Sequence, residues 1–358
     1  MVALLRTTQI QEPSSATVNM TNDTLGNTAF GGMPYGTSSF LRNRIINGNM
    51  QVWQRGTSFT GSGSISYTAD RWCNIQYSGS TPTISQVTSI GLAGFQYALR
   101  IQRTSGNTNT ASLNLSQSIE TLNCYDLAGQ SITLSFYARV GANYSGTTGV
   151  RSYIATGTGT DQNIYGTYTG SVATAQTNST TTSWQKFTQT ITVPSNATEI
   201  AIYFDNSACS GTAGAADYYD ITGVQLEQGS VATPFERPLI SKQLADCQRY
   251  LPAWSSTSAG ATALTFGNAS STTNGKFSLP FPVSVRTPPT GVVISSAAHF
   301  FEFQTGSVIT CTGITFNSST YLSGAVDATV ASGLTSGGCT MFGPQSTSAL
   351  LYFTGCEL

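Results

Sequence analysis

The strongest signal along the chain is a two-residue alternation of apolar and polar positions. Over 132–140 it runs Ile132, Leu134, Phe136, Ala138 and Val140, with Thr133, Ser135, Tyr137 and Arg139 between them. Phe95, Tyr97, Leu99 and Ile101 repeat the pattern, Leu113, Leu115, Gln117 and Ile119 share one face, and Ile200, Ile202 and Phe204 are in phase, as are Phe187, Ile191 and Val193. Successive side chains of a strand point to opposite faces, so each run predicts a strand with one buried face. Val224 and Leu226 against Gln225 and Glu227 make 218–227 the closing strand, and Gly223 interrupts the alternation as a bulge would. Turn-forming clusters at Ser105-Gly106-Asn107, Ala128-Gly129 and Pro194-Ser195-Asn196 separate the runs. Many short one-faced strands with no long helix between them predict an all-β domain of two packed antiparallel sheets. Stretch 141–183 is rich in Gly, Thr and Tyr and predicts one weak strand near 151–155 and an exposed loop.

The pattern changes after Glu227. Pro234 and Pro238 break the chain, and Ile240, Leu244, Cys247 and Leu251 then follow at helical spacing, which predicts a short helix over 239–251 that acts as a hinge. Beyond it Phe277, Leu279, Phe281 and Val283 alternate again, and shorter runs at 292–294, 300–303, 308–316 and 350–353 predict a smaller β unit. Pro280, Pro282, Pro288 and Pro289 confine their segments to edges or turns. Residues 1–40 show no sustained period and read as an extended arm that docks onto a larger assembly. The expected division is thus an arm at 1–40, a sandwich at 41–237, a helical linker at 238–251 and a C-terminal β domain at 252–358.

Composition narrows the chemistry. Charged residues make up only 9% of the chain, against about 25% in an ordinary soluble domain. A net charge of −1 gives no basic field for nucleic acid. A surface of hydroxyls and amides fits one covered by copies of itself, because burying unpaired charge is costly. The 7 cysteines include no CxxC and have no histidine nearby, so they read as small buried hydrophobes and not as a disulfide framework or zinc site. No stretch approaches the roughly 18 apolar residues of a membrane span, and the first residues do not form a secretory leader, so no membrane insertion is expected. The single histidine, His299, sits in an apolar stretch. Hydrolase, zincin, P-loop and dinucleotide motifs are absent, and Asp217 and Asp220 on one strand are poorly placed to flank a sugar as a glycosidase pair. The expectation is no catalytic residue, no cofactor and no metal. What the chain does have is 16 Tyr, 17 Phe and 4 Trp among neutral hydrogen-bonding side chains, which is the chemistry that holds sugars. Trp53, Trp72 and Trp184 lie in or beside strand patterns and read as core; Tyr144, Tyr153, Tyr165 and Tyr168, in the long loop region, are the candidate ligand-binding residues.

Two distant stretches together carry a resemblance. The first is Asn47-Gly48-Asn49-Met50-Gln51-Val52-Trp53-Gln54-Arg55-Gly56 with Tyr67-Thr68-Ala69-Asp70-Arg71-Trp72. The second is Val224-Gln225-Leu226-Glu227-Gln228-Gly229, continuing through Thr233-Pro234-Phe235-Glu236 to Cys247-Gln248-Arg249-Tyr250. Over residues 41–251 the chain resembles a module of bacteriophage tail-fibre and related virion proteins, itself similar to carbohydrate-binding jelly rolls. The resemblance implies a jelly-roll-like sandwich and a homotrimer located in the virion. It implies a tail-fibre or receptor-binding protein that docks on a tail or baseplate adaptor through residues 1–40 and binds host cell-surface glycan. The same module also serves trimeric capsid decoration (cement or head-fibre) proteins, which is the alternative. Related jelly rolls often hold a structural calcium through acidic residues; here Asn49 and Gln51 stand at two such positions and only Asp220 remains, so no metal is expected.

Overall fold

The computed structural model describes residues 41–61, 63–76, 80–166, 168–257 and 262–358, and the backbone of three short strands, β1 (Gln9–Gln11), β2 (Val18–Asn22) and β3 (Thr28–Phe30), which pair in sequence order. The rest of the expected arm, 1–40, lies outside the described residues. Twelve strands then build a sandwich: β4 (Ser58–Thr60), β5 (Ser66–Tyr67), β6 (Cys73–Asn74), β7 (Thr83–Leu92), β8 (Phe95–Gln102), β9 (Leu115–Ile119), β10 (Ser131–Val140), β11 (Arg151–Gly157), β12 (Val172–Thr177), β13 (Gln185–Thr192), β14 (Glu199–Asp205) and β15 (Tyr218–Gln228). The first sheet has the order β13-β10-β15-β8-β7-β4 and the second β12-β11-β14-β9-β6-β5. The fold is an all-β, jelly-roll-like sandwich in which long crossings, not hairpins, set most neighbours.

The alternation read from the sequence is the inward face. Ile132, Leu134, Phe136 and Ala138 of β10 are fully buried, as are Ile202 and Phe204 of β14. Phe136 and Phe204 meet edge-to-face across the two sheets with ring centroids 4.8 Å apart, and Trp72 packs on Phe204 at 6.3 Å. The indole of Trp72 donates to Asn47 O at 3.0 Å, so its polar handle is satisfied inside the core. Truncating any of these rings costs about 3–5 kcal/mol, which makes them the centre of the sandwich. Gly223 has φ +62°, and the β10–β15 register slips between Ser135 and Tyr137, which is a bulge. The structure differs from the sequence reading at 141–183: β11 is an interior strand flanked by β12 and β14, not a weak one.

The α-helix found among the described residues, α1 (Ile240–Gln248), leads to the second β unit: β16 (Ala253–Ser255), β17 (Thr265–Ala269), β18 (Asn274–Pro280), β19 (Gly291–Ile294), β20 (Phe300–Gln304), β21 (Ser307–Ser319), β22 (Ser323–Val330), β23 (Cys339–Pro344) and β24 (Leu350–Thr354). Six of these close into a barrel in the order β17-β18-β22-β21-β20-β23, and β16, β24 and β19 form a small sheet. Phe342 stacks between Phe277 and Phe300 inside the barrel, at 5.0 and 5.6 Å. On the outside, Phe266, Met341, Phe303 and Val308 stand directly opposite one another across β17, β23, β20 and β21. Of this row Phe266 is 67% and Val308 51% exposed.

The helix does not act as a free hinge. Gln243 and Cys247 are its buried residues, whereas Ile240 is exposed. The expected apolar stripe is turned because Gln243 Nε2 donates to the side-chain oxygens of Asn47 (3.2 Å) and Asn49 (2.8 Å) on the sandwich. Beyond the helix, Glu120 accepts from Arg249 Nη2 at 2.5 Å and from Tyr250 Oη at 2.7 Å. Glu357 is gripped by Arg55 at 2.5 Å and Arg71 at 3.1 Å, Arg71 lies 3.7 Å from the Tyr250 ring centroid, and Arg286 pairs with Asp161. Tyr67 Oη and Asn163 Nδ2 both donate to Leu358 O. These contacts fasten the chain after the helix, Arg286 and the last residues of the C-terminal β unit to the sandwich.

A buried acid of the barrel, by contrast, has no ion-pair partner among the described residues. Glu302 on β20 points into the barrel, is fully buried, and accepts from Thr340 and from the Gly275 N–H on its Oε2; its Oε1 has no hydrogen-bond partner. Burial pushes its carboxyl up from 4.5 to about 7, with the two hydrogen bonds opposing. The folded chain therefore keeps this proton where the unfolded chain has lost it. The associated stability is fully present below about 4.5 and is lost as pH rises towards about 7. In thermal melts between pH 5 and 8, Glu302→Gln is expected to remove roughly 1–3 kcal/mol of the wild-type decline; an identical decline in the variant would contradict the assignment.

Candidate functional site

The outward face of the first sheet gathers the polar residues that alternate with its core. Arg100, Asp220 and Arg139 stand side by side on β8, β15 and β10. Asp220 is fully buried and accepts from Arg100 Nε (2.7 Å) and Nη2 (3.0 Å) and from Arg139 Nε (2.9 Å). Each guanidinium then lies over a ring: Arg100 is 3.4 Å from the Tyr218 centroid and Arg139 is 4.7 Å from that of Trp184. Trp184 is held at the start of β13 by a bond from its Nε1 to Ile90 O at 3.0 Å. A small apolar cluster of Ile90, Phe95 and Ala98, with Tyr137, Trp184 and Phe235 against it, sits on this outer face and is separate from the main core.

The chain after β15 folds back over this face because two buried side chains hold it there. Glu227 accepts from Thr233 N (2.8 Å) and Thr233 Oγ1 (2.7 Å), and Gln225 Oε1 accepts from Glu236 N at 2.7 Å. That turn lays Phe235 on Phe95 at 5.2 Å and brings Arg237 across the Phe95 ring at 4.5 Å. The β7–β8 hairpin makes room for it. Its two-residue loop carries Gly94 at φ +79°, where a Cβ would stand 2.6 Å from Arg237 Nη2.

Two clefts open on this side. One, of about 370 Å³, is lined by Thr133, Lys186, Thr188, Thr190 and 230–232. The other, of about 400 Å³, is lined by Asn49, Gln51, Gly94, Phe95, Gln96, Tyr97 and Arg237. Both lie in the size range of small-ligand sites; the first presents hydroxyls and the Lys186 amine, the second amides and rings. The face is suited to holding a polyhydroxylated molecule. It is poorly suited to proton transfer, because Asp220 and Glu227 are each saturated by donors. Asp217 is likewise fixed by Arg103 (2.8 Å) and by Ser145 Oγ (2.6 Å). Among the described residues no three His, Cys, Asp or Glu side chains are grouped as metal ligands.

The four tyrosines singled out from the sequence are not on this face and do not share one open surface. Tyr144 packs against the main core and donates to Thr148 O at 3.0 Å. Tyr153, 8% exposed, stacks on Tyr203 at 3.9 Å on the second sheet. Tyr165 and Tyr168, in the loop between β11 and β12, have buried hydroxyls. Burial pushes the Tyr144, Tyr153 and Tyr168 hydroxyls up. Trp184, read as core, instead belongs to the outer cluster, and Arg237 gave no signal because its setting depends on a fold-back that alternation cannot show.

No protein-family model and no curated protein matches the chain. Among solved structures it is similar to the enzymatically active domain of bacteriophage CBA120 tailspike protein 4, at 15% identity and TM-score 0.35 over 52% of this chain and 21% of that one. It is also similar to a putative sugar-binding protein of Bacteroides thetaiotaomicron, at 17% identity and TM-score 0.34 over 52% of this chain and 100% of that one. A third similarity is to TmCBM61, solved with β-1,4-galactotriose, at 16% identity and TM-score 0.29 over 52% of this chain and 99% of that one. The matched part thus spans about a fifth of the tailspike domain. At this level of similarity a functional reading rests on the residues of the face itself.

Proposed function

We propose that the chain is a non-catalytic attachment protein of a bacteriophage particle, a tail-fibre or receptor-binding protein that holds host cell-surface glycan on the outward face of its first sheet. One observation carries this reading. The face combines half-buried aromatics, Trp184 and Tyr137, with hydroxyl- and amide-lined clefts, while its carboxylates are locked by donors. Rings stack on the C–H surfaces of sugars, and neutral donors and acceptors read hydroxyls. The sequence resemblance to virion modules supplies the setting, with residues 1–40 as the segment that docks on other virion proteins.

A glycan array probed with the purified protein tests the binding claim. A retained sugar is expected to bind Trp184→Ala roughly 10- to 100-fold more weakly, as truncating a central aromatic anchor does, with far-UV circular dichroism unchanged. A blank array, or undiminished binding by Trp184→Ala, contradicts it. Antibody labelling of intact particles with serum against 252–358 tests location; label across the head would replace the tail assignment with capsid decoration.

Self-association as a homotrimer is part of the same proposal. The apolar row Phe266, Met341, Phe303 and Val308 supports it, since it lies on a barrel face whose charged pair Lys276 and Asp327 stand opposite each other. Neutral, partly apolar surface is buried with little desolvation cost. Sedimentation at micromolar concentration is expected to give a trimer in the wild type and a monomer on Phe266→Ser with Val308→Ser. A monomeric wild type contradicts self-association, and a trimer in the double variant contradicts this row as its contact.

A further inference from the structure

We infer that the Arg237 cleft selects sugars that carry a carboxylate, a uronic-type residue and not a neutral one. The inference rests on the reading of this face as a glycan site and names the class of sugar it takes. Every other arginine among the described residues lies within salt-bridge distance of a carboxylate: Arg42, Arg44, Arg55, Arg71, Arg100, Arg103, Arg139, Arg151, Arg249 and Arg286. Arg237 has rings in place of an acid. Its guanidinium lies 4.5 Å from the Phe95 centroid and 5.7 Å from that of Phe235.

This arrangement orients the group without neutralising it. Stacking uses the flat face of a guanidinium and leaves its N–H edge free, and that edge matches the two oxygens of a planar carboxylate. The fold spends several features on the placement. Buried Gln225 and Glu227 hold 233–236 in the turn that aims the side chain, Phe235 and Phe95 flank it, and Gly94 leaves the space that Nη2 occupies. Around it, Asn49, Gln51 and Gln96 line the cleft with amides that can read ring hydroxyls, and no carboxylate lines the cleft to compete for the cation. An acidic sugar would therefore set its carboxylate on Arg237 and its hydroxyls on the amides. A neutral sugar would meet only the amides and rings.

The test is an array that prints uronic-acid oligosaccharides beside the same oligosaccharides with their carboxyls reduced, probed with the full chain as wild type, Arg237→Gln, Arg237→Lys and Trp184→Ala. Arg237 is exposed, so its variants are expected to melt with the wild type. Wild type is expected to bind at least one acidic member about 10- to 100-fold more tightly than its reduced counterpart, the range of a charge-assisted hydrogen-bonded contact. Arg237→Gln should bring the ratio of acidic to reduced member to near one, and Arg237→Lys, a point charge without the fork, should keep only part of it. High salt should weaken the acidic member alone. Equal binding of both members by wild type, or a preference that survives Arg237→Gln, overturns the inference while leaving sugar binding by this face intact. Loss of both members in Trp184→Ala marks that binding as belonging to the face. If no acidic member binds, the inference falls; the underlying glycan reading falls with it only if neutral sugars are also unbound.

Discussion

Pairing between arginine and buried carboxylate is the interaction on which the rest of this structure depends. Asp220 is shared by Arg100 and Arg139, Asp217 is held by Arg103, Glu120 by Arg249, and Glu357 by Arg55 and Arg71. Such pairs add little net stability over apolar packing, but leaving one partner alone in the interior costs about 3–5 kcal/mol. Their consequence is geometric. The Asp220 set fixes three neighbouring strands of the first sheet and the rings that stack on its arginines. The Glu357 and Glu120 sets fasten the chain after the helix and the end of the C-terminal β unit to the sandwich. Asp70 belongs to the same junction: burial pushes it up to about 6 while the neighbouring Arg55 and its bonds from Gln54 hold it down.

A chain with so few charges that also locks them together is left with a nearly neutral outside. Apart from Arg237, such a surface offers rings, amides and hydroxyls, whose contacts depend weakly on ionic strength. Against that background a guanidinium held by phenyl rings is conspicuous in physical terms, since it is a charge positioned by the fold and not consumed by it.

The sequence showed the fold class wherever a strand buries one face. The runs at 132–140 and 200–204 appear in the structure as interior strands because their apolar periods are the core, and the Gly223 interruption is the bulge. What was hidden had no apolar period to reveal it. β12 is Val-Ala-Thr-Ala-Gln-Thr and almost wholly exposed, so it resembles a loop in sequence, and without it β11 looked isolated. The buried side of α1 is set by an amide, Gln243, answering asparagines nearly 200 residues earlier in the chain. The site was less legible still. Tyrosine-rich sequence drew attention to 144–168, but Tyr144 packs on the main core and Tyr153 stacks on the second sheet, while Phe95 and Arg237 meet only through a fold-back pinned by Gln225 and Glu227.

Hydrogen–deuterium exchange of the full chain, with and without a saturating oligosaccharide taken from the array, reads the location of the site directly. The account predicts added protection in β8, at the start of β13 and across 229–237, with β11, the 158–171 loop and the barrel unchanged. Protection confined to the second sheet around Tyr153, Tyr165 and Tyr168, or to the barrel, would contradict it.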